Sequence, residues 1–521
     1  MAKQKKEASL ETRLWSAADI LRNAVEASEY KHIVLNLFFL RFASEKFEEQ
    51  RQRLIDAGRE RYVDVKEFYT KDNVFYVPEG ARWSDIQDNA KQDDLAIRID
   101  KALELMEREN PELVGALPSG YFVRLDLETG KLGSLVDSIG NIVLPDDETD
   151  VIGRVYEYYL TQFALKEGKG KGEFYTPKTV VKLIVEMIEP FSGKVYDPCC
   201  GSGGMFVQSI DFVNNHQGTS KDVSIYGQEY TATTYRLAKM NLAVRGISAN
   251  LGSAPRNTFS SDQHKDLKAD FILANPPFNQ KKWRADSELI GDPRWDGYET
   301  PPTSNANYGW ILHIASKLSQ NGIAGFLLAN GALSESGTEQ KIRQQLVEND
   351  LVEAIAILPR NLFYTTDISV TLWILNRNKG ARTIALPDGT ERKLRDRKGE
   401  VLFLDLRQKG VPFEKKYVEL SDDERAAIVS TYHAWQSVDW DSEYKDIPEY
   451  CYSASKEEIA EKDYTLVPSR YIQFENREDD TGFETRMSKL QHEIADLMKE
   501  EERSRIEVMS VFKDLGYEIE L

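Results

Sequence analysis

The segment Asn275-Pro276-Pro277-Phe278 carries the clearest chemical signal in the sequence. It follows an apolar run over 270–274 that reads as a strand, and its two prolines end any ladder and stiffen the turn. An amide held at a strand end in this way suits the capture of an exocyclic amine on a heteroaromatic ring. Such an amine is a poor nucleophile because its lone pair is delocalised into the ring. The Asn275 side-chain oxygen and the Pro276 carbonyl can accept its two N–H groups, favour a more pyramidal nitrogen and stabilise the positive charge that builds as an electrophile arrives. Phe278 can stack on the ring. No metal and no strongly basic side chain is required. Taken alone, the tetrapeptide also reads as a plain strand followed by a rigid Pro-Pro turn.

Upstream, Val195-Tyr196-Asp197-Pro198-Cys199-Cys200-Gly201-Ser202-Gly203-Gly204-Met205-Phe206 leaves a strand and opens a helix. Glycines there let the backbone turn sharply and approach a ligand closely. An acidic residue, Asp197, precedes them, and the turn lacks the Gly-Lys-Ser/Thr ending of a phosphate-binding loop. A second acidic residue, Glu229, ends the next strand in Ile225-Tyr226-Gly227-Gln228-Glu229, where a carboxylate can accept both ribose hydroxyls of an adenosine ligand. On these residues alone a methyl-donor nucleoside, a nicotinamide cofactor and a purely structural turn all stay open. Further upstream lies Lys171-Gly172-Glu173-Phe174-Tyr175-Thr176-Pro177-Lys178. It reads either as a helix start, with Pro177 in the first turn and Thr176 as its cap, or as a loop closing over the methionine half of a cofactor, with Phe174 or Tyr175 near a sulfonium. Cys199 and Cys200 are adjacent and have no Cys/His pair nearby, so no metal site is expected and the two thiols read as small residues lining the turn.

These turns need strand ends to stand on. Apolar runs at 194–197, 223–227, 270–274, 323–329, 351–358 and 369–375 alternate with helical stretches between about 150 and 376. That alternation predicts an α/β fold with a doubly wound, mainly parallel sheet. Ligands in such sheets bind beyond the carboxyl ends of the strands, where both turns lie. Residues 9 to about 150 read mostly helical: Leu14, Ala18, Leu21 and Val25 recur at helical spacing, the pattern runs on through 33–47, and it resumes at 95–106 after a loop over 69–83. The apolar run 34–40 is far shorter than the roughly 20 residues of a membrane helix and reads as a buried helix face. Met487, Leu490, Ile494 and Leu497 follow three-four spacing, and Val508, Val511 and Leu515 resume it after a break. This is the pattern of a coiled-coil or bundle helix, packed on its own chain or on a partner. A chain of 521 residues is too long for one core. Three domains are predicted: helical over 1–150, catalytic over 151–410, and a third over 411–521 ending in a partner-binding helix.

Taken together, Tyr175-Thr176-Pro177, Asp197 to Phe206 and Asn275 to Phe278 resemble the amino-methyltransferases of DNA. More narrowly, the chain resembles the DNA methyltransferase (modification) subunits of type I restriction–modification systems. Leu14-Trp15-Ser16-Ala17-Ala18-Asp19-Ile20-Leu21-Arg22 and Ser28-Glu29-Tyr30-Lys31 carry that narrower likeness, with Asn305-Ala306-Asn307-Tyr308-Gly309-Trp310 after the tetrapeptide. The resemblance covers most of residues 9 to about 410. It implies a Rossmann-like methyltransferase fold and methyl transfer from S-adenosylmethionine to N6 of an adenine flipped out of double-stranded DNA. By the same resemblance Glu173, Phe174, Tyr175, Thr176, Pro177, Lys178, Asp197, Gly201, Ser202, Gly203, Gly204 and Glu229 contact the cofactor, and Asn275, Pro276, Pro277 and Phe278 hold the base. Phe278 keeps the stacking face of a position whose aromatic varies in the family, and lacks a hydroxyl. The implied partners are a specificity subunit, with two modification subunits per copy, and a restriction subunit. Asn-Pro-Pro-aromatic turns also serve N4-cytosine, RNA-base and protein-glutamine methylation. A non-catalytic assembly subunit with a relic site is the remaining alternative, against which the intact tetrapeptide argues.

Charge bears on how DNA would be held. With 67 Lys and Arg against 86 Asp and Glu, the formal net charge is −19, whereas a protein that grips DNA alone usually shows a basic face. Lys166, Lys169, Lys171, Lys178 and Lys182 cluster before the glycine turn. Lys281, Lys282 and Arg284, with Trp283, follow the tetrapeptide and are the better placed for phosphate contact and stacking. The Gly- and Pro-rich stretch from Trp283 to Asn305 reads as a loop ordered only by DNA. No separate target-reading domain is evident after Leu375, a second reason to expect a partner that reads sequence. Three cysteines and a polar, basic start at residues 1–6 with no apolar signal core point to a reducing cytoplasm.

Overall fold

A computed structural model describes residues 27–142, 176–363, 369–474 and 483–514, apart from 217, 220 and 414–416, together with scattered positions between 15 and 25 and between 153 and 162. The chain divides into two compact units, Met1–Gln473 and Phe474–Leu521.

The first unit begins with helices α1 (Ala27–Asp56), α2 (Leu95–Glu109) and α3 (Thr129–Gly140). Midway along α1, Ile33, Val34, Leu35, Leu37, Phe38, Phe39 and Leu40 are all buried, so this stretch is apolar on every side and forms the centre of the helical core. In α2, Leu95, Ile99, Ala102, Leu103 and Met106 make one buried stripe. On the same helix, buried Asp100 accepts the backbone N–H groups of Tyr121, Phe122 and Val123 and so starts the short helix Tyr121–Arg124.

A nine-stranded sheet follows. Its strands are β1 (Gly193–Asp197), β2 (Val223–Gly227), β3 (Ala249–Asn250), β4 (Ala269–Ala274), β5 (Leu318–Ala329), β6 (Val352–Ile357), β7 (Val370–Asn376), β10 (Glu400–Asp405) and β13 (Cys451–Ser455). Two hairpins, β8 (Arg382–Ala385) with β9 (Glu391–Leu394) and β11 (Val411–Phe413) with β12 (Tyr417–Glu419), stand apart from it. The order is β13-β10-β6-β7-β5-β4-β1-β2-β3. All neighbours pair in parallel except where β7 lies antiparallel between β5 and β6, and where β13 pairs with β10. Each of the six strands expected from the sequence is present. The sheet also continues past residue 410: β13 is its outer strand, so no break in the sheet falls at the expected domain boundary.

Helices α4 (Lys178–Ile188), α5 (Gly204–Asn215), α6 (Ala232–Ala243) and α9 (Asp422–Gln436) share one core with the sheet, and α7 (Asn307–Lys317) and α8 (Thr338–Glu348) share the other. The sheet is therefore covered on both faces, which is why its central strands are continuous apolar runs. Helix α6 buries two sides: Tyr235, Ala238 and Leu242 join the sheet core, while Leu237 and Met240 join the helical core. One helix thus ties the two regions together. Among the described residues the second unit holds one helix, the 32-residue α10 (Phe483–Asp514), which runs without interruption through both stretches of the expected pattern; Leu515 lies outside the described residues. Among the described residues no helix is long and apolar enough to cross a membrane.

At the amino-terminal edge of the sheet, away from the two turns, Glu353 and Arg397 form an ion pair at 2.9 Å with both side chains fully buried. Glu353 also accepts from Gln436 and Asn376, and the neighbouring Lys379 ammonium reaches Asp350 and the carbonyls of Val352 and Glu400. This network fastens the hairpin and β10 to β6. Arg397→Leu leaves Glu353 buried beside fewer cations. The expected loss of unfolding free energy is about 3–5 kcal/mol, read from urea denaturation, and an unchanged midpoint would refute the assignment.

Candidate active site

The turns after β1, β2 and β4 meet at one edge of the sheet. Strand β1 ends at Asp197, which is buried. Its carboxylate accepts the Cys199 N–H at 2.9 Å and its carbonyl accepts the Gln228 N–H at 3.0 Å. The Cys200 N–H returns a bond to the Gln228 carbonyl at 3.0 Å. The turns leaving β1 and β2 are thus stitched together. Gly201 (φ +54°) and Gly203 (φ +82°) take left-handed conformations, which glycine adopts without strain.

Glu229, two residues beyond β2, ties the turns a third time. One carboxylate oxygen accepts the Gly201 N–H at 3.1 Å and the other the Thr231 N–H at 2.8 Å. The Tyr230 N–H and the Thr231 hydroxyl also hydrogen-bond to this carboxylate. A Cβ added to Gly201 or Gly204 would meet nothing within 4 Å, so the backbone of this turn faces open space. Tyr230, 70% exposed, stands beside Glu229. An open backbone cradle, a carboxylate at the strand end and an exposed ring together fit the adenosine half of S-adenosylmethionine. Sequence reasoning passed over Tyr230. Its signal was an aromatic next to the acidic strand end, and only its exposure distinguishes it from a core residue.

Burial pushes the Asp197 carboxyl up to about 7, the nearby Glu229 adds to the rise, and the Cys199 N–H opposes it. Burial likewise raises Glu229. The thiols of Cys199 and Cys200 are raised well above their ordinary value, first by burial and then by the two carboxylates, so both are held as neutral thiols.

Next to β1, β4 delivers Asn275. Its amide nitrogen donates to the Thr176 hydroxyl at 2.8 Å. Its amide oxygen is buried and accepts no hydrogen bond from any described residue. Pro276 is buried, and half-buried Phe278 meets Phe363 edge-on with ring centroids 6.3 Å apart. The chain then turns through Asn279 (φ +52°). Asn279 donates its N–H to Asn307 Oδ1 at 3.1 Å and accepts from the Asn307 amide at 3.0 Å. Fully buried Asn307 opens α7 and so locks the exit of the Asn-Pro-Pro turn.

Three expectations need correction. Thr176 does not cap α4: Pro177 holds the cap position with an extended backbone and no side-chain bond, and the Thr176 hydroxyl turns to Asn275 instead. Trp283 does not offer a free face for stacking. It is buried against Phe259, and its indole N–H donates to the Pro302 carbonyl at 2.8 Å. Arg284 spends its guanidinium on the carbonyls of Ala285, Asp286, Glu288 and Pro301. The stretch 283–305 is accordingly a loop anchored at several points, with Trp295 also buried and Arg294 holding Asp292 and the carbonyls of Thr258 and Phe259. Lys281, Lys282 and Lys178 are exposed. Glu173, Phe174 and Tyr175 lie outside the described residues, as do Lys166, Lys169 and Lys171.

With this geometry in place, residues 147–480 match the N-6 DNA methylase family and residues 10–139 match the HsdM N-terminal domain. The chain belongs to the N-6 DNA methylase family. It is 40% identical over 464 residues to the type I restriction enzyme HindI methylase subunit of Haemophilus influenzae, covering 85% of this chain and 100% of that one. It is 32% identical over 527 residues to the MjaIX methylase subunit of Methanocaldococcus jannaschii, covering 97% and 91%. By family it is therefore an N6-adenine DNA methyltransferase of the type I restriction enzyme class. A crystal structure of a type I restriction-modification methyltransferase subunit from Streptococcus thermophilus shares the fold, with a TM-score of 0.72 at 23% identity over 89% of this chain and 99% of that one.

The buried Asp197 generates a pH prediction. The folded state holds a proton on this group up to about pH 7, whereas the unfolded chain releases it near 3.8. The stability it contributes is present below the unfolded value and is lost as the pH rises toward 7. Asp197→Asn keeps an acceptor for the Cys199 N–H and removes the titration. The variant should gain on the parent as the pH rises from about 4 to 7, by on the order of 2–4 kcal/mol. Thermal unfolding of both proteins across that range tests this, and parallel pH profiles would contradict it.

Proposed function

We propose that the chain transfers a methyl group from S-adenosylmethionine to N6 of an adenine flipped out of double-stranded DNA, as the modification subunit of a type I restriction–modification complex. The observation that carries this reading is the Asn275 amide: its nitrogen is tied to Thr176 and its buried oxygen is left without a described partner at the mouth of the sheet. An acceptor in that state is matched to an incoming N–H donor. When bound, the cofactor would supply an electrophilic methyl group on its sulfonium, whose methyl–sulfur bond breaks to leave a neutral thioether as the new N–C bond forms. Asn275 Oδ1 and the Pro276 carbonyl then accept the two amine N–H groups and hold the nitrogen lone pair toward that methyl. As the N–C bond forms, the positive charge on nitrogen lies against two fixed dipoles, and one N–H proton leaves to solvent.

Glu229 accepts the ribose hydroxyls in this reading, and the backbone from Gly201 to Gly204, with Ser202 and Gly203, lies along the cofactor. Asp197 shapes the turn from beneath. Glu173, Phe174, Tyr175, Pro177 and Lys178 close over the methionine half, while the Thr176 hydroxyl is turned to Asn275. Phe278 stacks on the flipped base, worth about 1–3 kcal/mol.

The net charge of −19 supports delegating sequence reading to a separate specificity subunit, with two copies of this chain per specificity subunit and a restriction subunit in the full assembly. Lys281 and Lys282 are proposed phosphate contacts. Helix α10 is the proposed partner contact, because Met487, Leu490, Ile494, Leu497, Val508 and Val511 are all exposed along it. Removing residues 483–521 is expected to abolish co-purification with the specificity subunit while calorimetry still shows cofactor binding. Retained co-purification would rule α10 out.

The central test is single-turnover transfer by the assembled complex, followed by digestion of the DNA. The expected product is N6-methyladenine. Asn275→Ala should slow transfer by roughly 100-fold or more with little change in cofactor affinity. Transfer at the parent rate would sink the catalytic assignment, and methylcytosine in the digest would move the acceptor.

A further inference from the structure

We propose that Thr176 is a positioning residue for methyl transfer: its hydroxyl anchors the inner end of the Asn275 amide, with the amide oxygen left to face the target amine. The proposal rests on the methyl-transfer reading above and adds a residue that acts through Asn275 rather than on the base.

The two ends of an asparagine amide are almost equal in size and opposite in hydrogen bonding. With the oxygen outward, Asn275 accepts an N–H from the amine. With the nitrogen outward, two donors face each other and the capture fails. A hydrogen bond on the inner end is what pins the amide in one of the two orientations. The Asn275 Nδ2–Thr176 Oγ1 bond at 2.8 Å is that contact, with the oxygen as the end that has no described partner.

Thr176 is well mounted for the task. It precedes Pro177, and a residue before proline is held extended. Pro177 leads directly into α4, whose Val180, Val181, Leu183 and Ile184 are buried in the sheet core. The hydroxyl is therefore fixed to the sheet through a packed helix. Thr176 and Asn275 are 99 residues apart in sequence, so no local pattern links them.

The experiment uses the full chain assembled with its specificity subunit, a duplex carrying the target, and single-turnover rates at saturating S-adenosylmethionine. Thr176→Val keeps the shape and removes the hydroxyl. It is expected to slow transfer by about 10-fold or more while the calorimetric dissociation constant for S-adenosylmethionine stays within about 2-fold. Thr176→Ser restores the hydroxyl and should return the rate to within about 3-fold of the parent. Added to Asn275→Ala, Thr176→Val should cost nothing further, because the amide it orients is gone. A general packing role would make the two losses add. Transfer by Thr176→Val at the parent rate, a Thr176→Ser as slow as the valine variant, full additivity, or a loss of cofactor affinity that accounts for the rate would each overturn the proposal. If Asn275→Ala itself transfers at the parent rate, the methyl-transfer reading falls first. If Asn275→Ala is slow and Thr176→Val is not, only the positioning role falls.

Discussion

Parallel pairing between β1 and β4 is the constraint on which the site depends. Val195 lies opposite Phe271 and Tyr196 opposite Ile272, so both strands run out at the same edge. One exits into the glycine turn and the other into Asn275-Pro276-Pro277-Phe278. From β1 the sheet grows through β2 and β3 on one side and through β4 and β5 on the other. Turns leaving such a switch point diverge and leave a crevice between them. A slip of one residue in this pairing would carry Asn275 away from the glycine turn and invert every apolar side chain of β4. The burial of Ile272, Leu273 and Ala274 resists that slip.

Within the crevice, hydrogen bonding and burial divide the labour. Burial raises both Asp197 and Glu229, the Glu229 carboxylate adds to the rise at Asp197, and neither has a cationic partner among its principal influences. Backbone N–H groups from Cys199, Gly201 and Thr231 take that place. The result is a pair of turns held together by carboxylate acceptors. In the proposed reading the Asn275 amide and the Pro276 carbonyl are neutral dipoles, suited to a cation that exists only while the methyl group is being transferred.

Much of this was legible in the sequence because the informative residues are local in pattern. Strand ends followed by glycines, by an acidic residue or by Asn-Pro-Pro can be read in windows of ten residues, and all six expected strands are present. Three things escaped because they depend on distant residues. The antiparallel β7 reads like any buried strand, and only its insertion between β5 and β6 shows its direction. The stretch 283–305 has a loop's composition, yet Trp283, Trp295 and Arg294 anchor it to Phe259 and Thr258. Thr176 before Pro177 has the residue types of a helix cap, and the helix is left uncapped because the hydroxyl is committed to Asn275, 99 residues on. In each case a tertiary contact overrode a sound local rule.

The unmet Asn275 oxygen also bears on why the surrounding structure is so firmly tied. A buried acceptor without a partner costs about 1–3 kcal/mol, and left to itself the turn would relax until the oxygen found a donor. Here each direction of relaxation is closed. Thr176 holds the amide nitrogen, Pro276 and Pro277 restrict the backbone, and Asn307 grips Asn279 through two hydrogen bonds at the exit. Asn307 is itself fully buried at the start of α7, so the grip is transmitted to the core. In the proposed reading, an amine donating to this oxygen would supply the hydrogen bond that the described residues leave unmade, which is the form preorganisation takes at a neutral acceptor.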